Sequence, residues 1–328
     1  MRDAIDEHIE HVRELTRRHG LLDLDSPTAS VHNPEWFVGG RPLRARGRMH
    51  AEIIGSLLDG ADAEGQRHAF VLAGAPGAGK SHLCMHELSD EVAGHAHLDV
   101  DDVKAELLWR AERDQSYEEF LKPALVREYE ARGERFFPLE MSALVHREAA
   151  GIVDLARERA LNAGLPVVID GVLSNGDQAV ALGRELEGAG YSIDVVCLDV
   201  APEVSEHQIR HRWREAYEET LAGHGDLMGG RWVPSSFAQH VLQGPGGRSL
   251  PAVTAERLAD EVEAVSRYRV FTRAGVDDPT LLATDLSRVR AGGPLIDTEA
   301  ARAYRTARGT QRPHRAGRGG AMEGGVER

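Results

Sequence analysis

The chain is poor in cysteine. Cys84 and Cys197 are the two it has in 328 residues, and both fall among apolar neighbours, so they read as small core residues and exclude a disulfide framework. No apolar run approaches the roughly 18 residues of a membrane-spanning helix. The charged opening MRDAIDEHIEHVREL has none of the pattern of a signal peptide. Positive charge is in deficit: 39 Lys and Arg stand against 53 Asp and Glu, a formal net charge of −14. Such a surface repels nucleic-acid backbones, which sets nucleic acid aside as a partner. No internal repeat is present. These absences leave a globular chain with no membrane association, expected in the cytoplasm.

Hydrophobic periodicity divides the rest. Residues 3–19 read as an amphipathic helix, a loop rich in Pro, Asn and Gly follows over 25–47, and a second helix spans about 44–58. Short apolar strands at 68–73, 95–100, 167–170, 192–200 and 267–272 then alternate with helices at 81–93, 103–113, 139–162, 177–189, 202–221 and 254–265. That alternation specifies an α/β fold, a mostly parallel sheet covered by helices on both faces. Three regions follow: an N-terminal helical segment over 1–60, the main domain over 61–300, and a tail over 301–328. The tail is rich in Arg, Gly and Pro, almost without large apolar residues, and is expected to be disordered.

The strand at 68–73 runs into Gly74-Ala75-Pro76-Gly77-Ala78-Gly79-Lys80-Ser81, followed by His82 on a helix. Gly-x-x-x-x-Gly-Lys-Ser between a strand and a helix is the strong form of the Walker A phosphate loop. The glycines let the backbone curl so that its N–H groups converge on phosphate oxygens. The helix adds the positive end of its dipole, Lys80 a mobile cation, and the Ser81 hydroxyl a ligand for Mg²⁺. The loop therefore implies ATP or GTP with Mg²⁺. A switch or motor would hydrolyse the nucleotide, a kinase would transfer its phosphate, and a binding module would only sense it. The segment HAHLDVDDVKAEL over 95–107 bears on the choice. Asp99, Asp101 and Asp102 stand where a parallel strand ends, the edge at which open α/β sheets bind ligands. A carboxylate there suits a general base or a Mg²⁺ ligand, while Asp101 or Asp102 could equally cap the helix that follows.

GAPGAGKS followed by LDVDDVK resembles the zeta toxin family of P-loop kinases. SALVHREAAGIVDLARERALNAGLPVVIDGVL over 142–173, RHRWREAY over 210–217 and GGRWVP over 229–234 carry the same resemblance, in order, across about residues 44–285. It implies a P-loop kinase fold and transfer of the γ-phosphate to a sugar hydroxyl, in the best-known members the 3′-hydroxyl of UDP-N-acetylglucosamine. It also implies a restraining antitoxin protein. By the same resemblance Asp101 is the base, Lys80 the Walker lysine, and Arg212 and Arg231 the phosphate clamp, with Arg210 and Arg214 as alternatives to Arg212. A substrate-binding glutamate falls on Glu148, or on Asp154 when counted from the following strand. Asp170 keeps the acidic position of the family's strand motif, and Val172 stands where the family has threonine. Without the family, Arg210, Arg212 and Arg214 also read as a solvated helix face alternating with glutamates. His82/His86 and His207/His211 have the helical spacing of metal ligands but lack further partners for a structural site. Two other readings stay open beside the UDP-sugar kinase: a kinase for another hydroxyl acceptor, such as an antibiotic or a metabolite, and an NTP-gated binding protein.

Overall fold

The computed structural model describes residues 2–62, 66–224 and 227–309. In chain order the elements are α1 (Arg2–Leu15), β1 (Phe37–Val38), β2 (Arg41–Pro42), α2 (Arg44–Leu58), β3 (His68–Gly74), α3 (Lys80–His86), α4 (Ser89–Val92), β4 (Ala96–Asp99), α5 (Val100–Arg113) and α6 (Ala124–Ala131). They continue through α7 (His146–Ala163), β5 (Val167–Asp170), α8 (Gly176–Gly188), β6 (Ser192–Val200), α9 (Pro202–Leu221), α10 (Ser235–Leu242), α11 (Leu250–Glu261), β7 (Val265–Arg273), β8 (Leu281–Arg288), β9 (Leu295–Asp297) and α12 (Thr298–Gly309). Seven strands form one sheet in the order β4-β5-β3-β6-β7-β8-β9, and β1 pairs with β2 in a separate small hairpin.

The pairings from β4 to β7 are parallel; β8 and β9 are added antiparallel. The expected mostly parallel α/β sheet is therefore present. Its central strands carry apolar runs, such as residues 195–198 in β6, as a sheet covered on both faces requires, and β3 is buried from Ala69 to Gly74. β8 escaped the periodicity because Leu281, Leu282 and Ala283 at its start are exposed, so no buried alternation marks it.

Several boundaries differ from the sequence expectation. The helix expected over 81–93 is two pieces, α3 and α4, with Leu88 buried at the break. The stretch over 139–162 opens as 3₁₀ turns, Pro138–Val145, before α7 begins. The N-terminal helices join the main core: Val12 and Leu15 of α1 and Ile53 and Ile54 of α2 are buried in the same cluster as the sheet. The stretch expected to be disordered begins as helix, since α12 continues to Gly309 and buries Ala301 against the sheet's antiparallel end. The remainder of the expected tail, 310–328, lies outside the described residues. Among the described residues no helix is long and apolar enough to cross a membrane.

Candidate active site

Because β4, β5, β3 and β6 run parallel, their carboxyl ends share one edge. Leu72 of β3 pairs with Asp170 of β5, and Asp99 of β4 pairs with Asp170 in turn, so two aspartates arrive beside the loop that follows β3. Asp101 is not at a strand end, nor is its strand next to β3: β5 intervenes, and Asp101 lies in the first turn of α5. The helix cap is Asp99, whose carboxylate accepts from the Asp101 amide at 2.7 Å. Capping and the outward-facing carboxylate are thus divided between two residues, which frees the Asp101 side chain.

The loop has the curl a phosphate site needs. Gly77 takes φ +73° and Gly79 φ +101°. A Cβ on Gly77 would meet the Ser205 carbonyl at 2.7 Å and Ile209 at 2.8 Å, so glycine is required there twice over, by conformation and by the approach of α9. Ala78 donates to Ala75 and Gly74 to Val172, while the amides of Gly77, Gly79 and Lys80 have no backbone carbonyl partner among the described residues. Free amides at a helix start, with a lysine beside them, are the donor set a polyphosphate takes. Lys80 Nζ donates to the Gly74 carbonyl at 3.2 Å and lies 3.7 Å from Asp170. Ser81 and His82 are exposed at the start of α3, the His82 ring against that of His86. An exposed Ser81 hydroxyl at an edge lined with carboxylates offers hard oxygen ligands, which suit Mg²⁺. Neither expected histidine pair forms a metal cluster among the described residues.

Charge at the edge is unevenly compensated. Burial, then the neighbouring Asp170 carboxylate, pushes Asp99 up to about 6. Burial also raises Asp170, against the pull of Lys80. Asp101 behaves differently. Burial works to raise it, but Lys104 and then Arg231 outweigh that and hold it at about 2. Lys104 Nζ sits 2.8 Å from Asp101 Oδ1, and Arg231 Nη1 sits 2.8 Å from Oδ2. Arg231 also donates to the Asp101 carbonyl at 3.0 Å. The segment carrying Arg231 is packed closely: a Cβ on Gly230 would fall 2.3 Å from the Trp213 carbonyl, and Trp232 Nε1 donates to Thr16 at 2.9 Å.

α9 crosses the phosphate loop. Ser205 Oγ donates to the Pro76 carbonyl at 2.6 Å, and the Gln208 amide, oriented to satisfy its neighbours, donates to the Gly77 carbonyl at 3.1 Å. Arg212 is one turn beyond Gln208 on that same stripe and exposed. Arg210 and Arg214 point to the other flank of α9, where with Asp6, Ile9 and Trp232 they line a cavity of about 490 Å³ between α1, α9 and α10. Arg214 pairs there with Asp6 at 2.7 Å and Arg210 with Glu206 at 3.6 Å. The three alternatives therefore separate: Arg212 alone shares the loop-facing stripe.

Two further expected substrate residues are engaged in packing, Val172 of them beside the phosphate loop. Glu148 is buried, bound by Arg46 through Nε at 2.6 Å and Nη2 at 2.8 Å, and by His50 at 2.6 Å. Burial opposes its ionisation, but His50 and Arg46 prevail and hold it at about 2. Val172 packs against Ala75, Val241 and Leu242 in a small apolar cluster. The alternative Asp154 is exposed and pairs with Arg157 at 2.7 Å. Sequence reasoning passed over Lys104, although its i+3 spacing from Asp101 was a signal for an ion pair. It also passed over His146, half-buried at the start of α7, which burial and then Lys104 lower to about 4 so that it stays neutral. His97 was missed as well; the Asp102 carboxylate 3.9 Å away, then Cys84, raises it to about 10.

A profile of the Zeta toxin family matches residues 56–275. The chain belongs to the zeta toxin family. Its loop, sheet and arginine-bearing segment conform to a P-loop, kinase-like toxin. Among solved structures it is similar to the AvrRxo1-ORF1:-ORF2 complex with ATP, at 16% identity and TM-score 0.53, over 81% of this chain and 73% of that one. The native AvrRxo1-ORF1:-ORF2 complex matches at 16% identity and TM-score 0.52, over the same shares. The PezAT toxin–antitoxin system of Streptococcus pneumoniae matches at 16% identity and TM-score 0.47, over 73% of this chain and 78% of that one. The two AvrRxo1 matches establish a shared fold. A search of curated proteins finds no match.

Proposed function

We propose that this zeta toxin family member is an ATP-dependent small-molecule kinase. It transfers the γ-phosphate to a sugar hydroxyl, with UDP-N-acetylglucosamine as the first acceptor to test, and acts in the cytoplasm as the toxin of a toxin–antitoxin pair. The observation that carries the reading is the meeting of Arg231 with Asp101 at 2.8 Å, at the edge that Lys80 and the phosphate loop also face. A base, a loop lysine and a phosphate-seeking arginine from three separate elements converge there, as phosphoryl transfer to an alcohol requires.

Asp101 accepts the proton of the attacking hydroxyl as its oxygen bonds to the γ-phosphorus and the bond to the β-phosphate oxygen breaks, releasing ADP. Lys80, Arg212 and Arg231 stabilise the charge that builds on the transferring oxygens. Mg²⁺, held through Ser81 when bound with the nucleotide, supplies further neutralisation of phosphate charge. Asp170 orients Lys80. That one solved relative in fold is a complex containing ATP supports ATP as the donor. That complexes of two proteins recur among those relatives supports an antitoxin partner.

Val172 favours a second reading. The threonine it replaces would offer the sugar nucleotide a hydroxyl, and here an apolar side chain packs on Ala75 and α10 instead. A kinase of the same mechanism with a different hydroxyl acceptor accommodates that change. The test is mass spectrometry of UDP-N-acetylglucosamine incubated with ATP, Mg²⁺ and the protein. A gain of one phosphate supports the first reading. ADP release that needs some other hydroxyl compound supports the second, and release with water alone removes both.

A further inference from the structure

The Asp101 carboxylate is divided between two cations of unlike attachment, one on its own helix and one from a distant connection. Lys104 grips Oδ1 from three residues along the same helix, and its side chain is only 14% exposed. Arg231 grips Oδ2 from the connection between α9 and α10, which is interrupted by Gly223 at φ +77° and Gly229 at φ +72°. The Arg231 guanidinium is also incompletely used: its Nε is buried and has no acceptor. A buried, unpartnered donor is costly, and a fork with spare N–H groups matches a phosphate better than a single carboxylate oxygen. The other charged groups at this carboxylate are Asp99, Asp102, Asp170, Lys80 and His146, and none of them bonds Oδ2.

Resting on the kinase reading above, we propose that Arg231 is a transferable counter-ion and Lys104 a positioning residue. As folded, Arg231 masks the base; a nucleoside triphosphate in the loop draws Arg231 onto its terminal phosphate, which vacates Oδ2. Lys104 keeps Oδ1, so the freed oxygen stays aimed at the acceptor and not at bulk water. The base is thereby exposed only when a transferable phosphate is in place. This couples the donor site to the acceptor site through one side chain, and it biases binding toward nucleotide first.

The decisive measurement is calorimetric binding of a non-hydrolysable ATP analogue and of ADP to the full chain, in a double-mutant cycle of Asp101→Asn and Arg231→Gln. Releasing the latch should tighten the analogue roughly tenfold in Asp101→Asn, with ADP unchanged and no gain in the Arg231→Gln background. Equal tightening in that background would mean simple removal of charge repulsion, and unchanged or weaker analogue binding would mean no latch; either result overturns the inference while the kinase reading stands. A wild type that binds no analogue at all brings down the phosphate-loop reading, and the inference with it. Lys104 is tested by acceptor-dependent ADP formation. Lys104→Met should lower kcat roughly 10- to 100-fold with acceptor KM within about twofold, and Lys104→Arg should recover most of the loss. Loss carried by KM, or no recovery with arginine, would reduce Lys104 to a structural role.

Discussion

Glu148 and Asp101 are both held near 2 by two partner side chains, and they differ in what supplies those partners. Glu148 is satisfied by Arg46 and His50, one turn apart on α2, both themselves buried. Nothing there can leave without unpacking a helix. Asp101 is half-exposed and shares its charge with a lysine on its own helix and an arginine from a glycine-interrupted connection. The first arrangement fastens α2 to α7. The second holds a carboxylate ready beside a phosphate loop. A depressed pKa therefore does not separate structure from chemistry here; the exposure of the carboxylate beside the phosphate loop does.

The comparison breaks most sharply on substitution. Asp101→Asn should leave the fold intact, since Asp99 and not Asp101 caps α5, yet lose about 10²–10⁴-fold in phosphoryl transfer as the proton acceptor disappears. Unaltered transfer, followed by mass spectrometry of the acceptor, would move the base to Asp99, Asp102 or Asp170. Glu148→Ala should do the opposite. Removing the carboxylate leaves the buried Arg46 guanidinium uncompensated, at a cost of about 3–5 kcal/mol in chemical denaturation. The acid limb sharpens this. Glu148 has its folded value depressed from 4.5 to about 2, so its contribution is present above 4.5 and is lost as pH falls through that window. A Glu148→Gln protein of wild-type stability with a raised acceptor KM would restore the substrate-binding expectation.

Lys80→Ala probes the loop itself. Its ammonium is the nearest cation to Asp170 and to the position of the outer phosphates, so its loss should slow turnover by about a hundredfold or more, roughly 3–4 kcal/mol. Turnover near that of the wild type in a coupled ADP assay would contradict the whole nucleotide reading.

How much of this could be read from residues alone follows from range. The phosphate loop was legible because its chemistry is local: strand, glycines, lysine and helix all lie between His68 and His86. The parallel core was legible because β3, β5 and β6 each contain a short apolar run, at 69–73, 167–169 and 195–198. Asp101 and Arg231 were reached through the family resemblance, and their contact spans 130 positions, which no periodicity encodes. The choice of Arg212 over Arg210 and Arg214 needed the side of α9 that meets Gly77. The partners that bury Glu148 were not legible because they lie 98 and 102 residues upstream, in a segment that looked separate from the domain. Asp99 as the cap was missed because the helix begins at Val100, three residues earlier than expected, which turns the first aspartate into the cap.

A second buried charge cluster extends the fixed class to α1. His8 bridges Glu134 at 2.5 Å and Glu140 at 2.8 Å, and Trp213 Nε1 donates to Glu140 at 3.1 Å. Burial would lower His8, but its bonds to Glu140 and then Glu134 raise it above 6.5. With the folded value raised, the stabilisation is complete below 6.5 and fades as pH climbs through the folded value. Relative to His8→Gln, the wild type should therefore lose an advantage of about 2 kcal/mol as pH rises from 6 toward 9. A stability difference that stays flat with pH would mean that His8 acts through packing on Tyr217 and Phe136 alone.

The smallest expected effect belongs to the end of the described chain. Deleting 302–328 removes most of α12, and the four residues left from Thr298 to Ala301 are too few to hold a helix. Ala301 is fully buried, and Arg305 donates to the Arg288 carbonyl at 3.1 Å, so the truncation should expose the β8–β9 margin. That margin is antiparallel and lies beyond β7, on the side of the sheet away from β4 and β5. A loss of about 1–2 kcal/mol in stability is expected, with nucleotide binding unchanged, because one short helix, with a single buried side chain and one hydrogen bond to the sheet, is at stake. Thermal unfolding of the truncated chain beside a control ending at residue 309 decides it. If both melt with the wild type, α12 rests on the sheet without stabilising it. If the control ending at 309 falls as far as the shorter chain, the stabilising contacts belong to 310–328 and not to the helix.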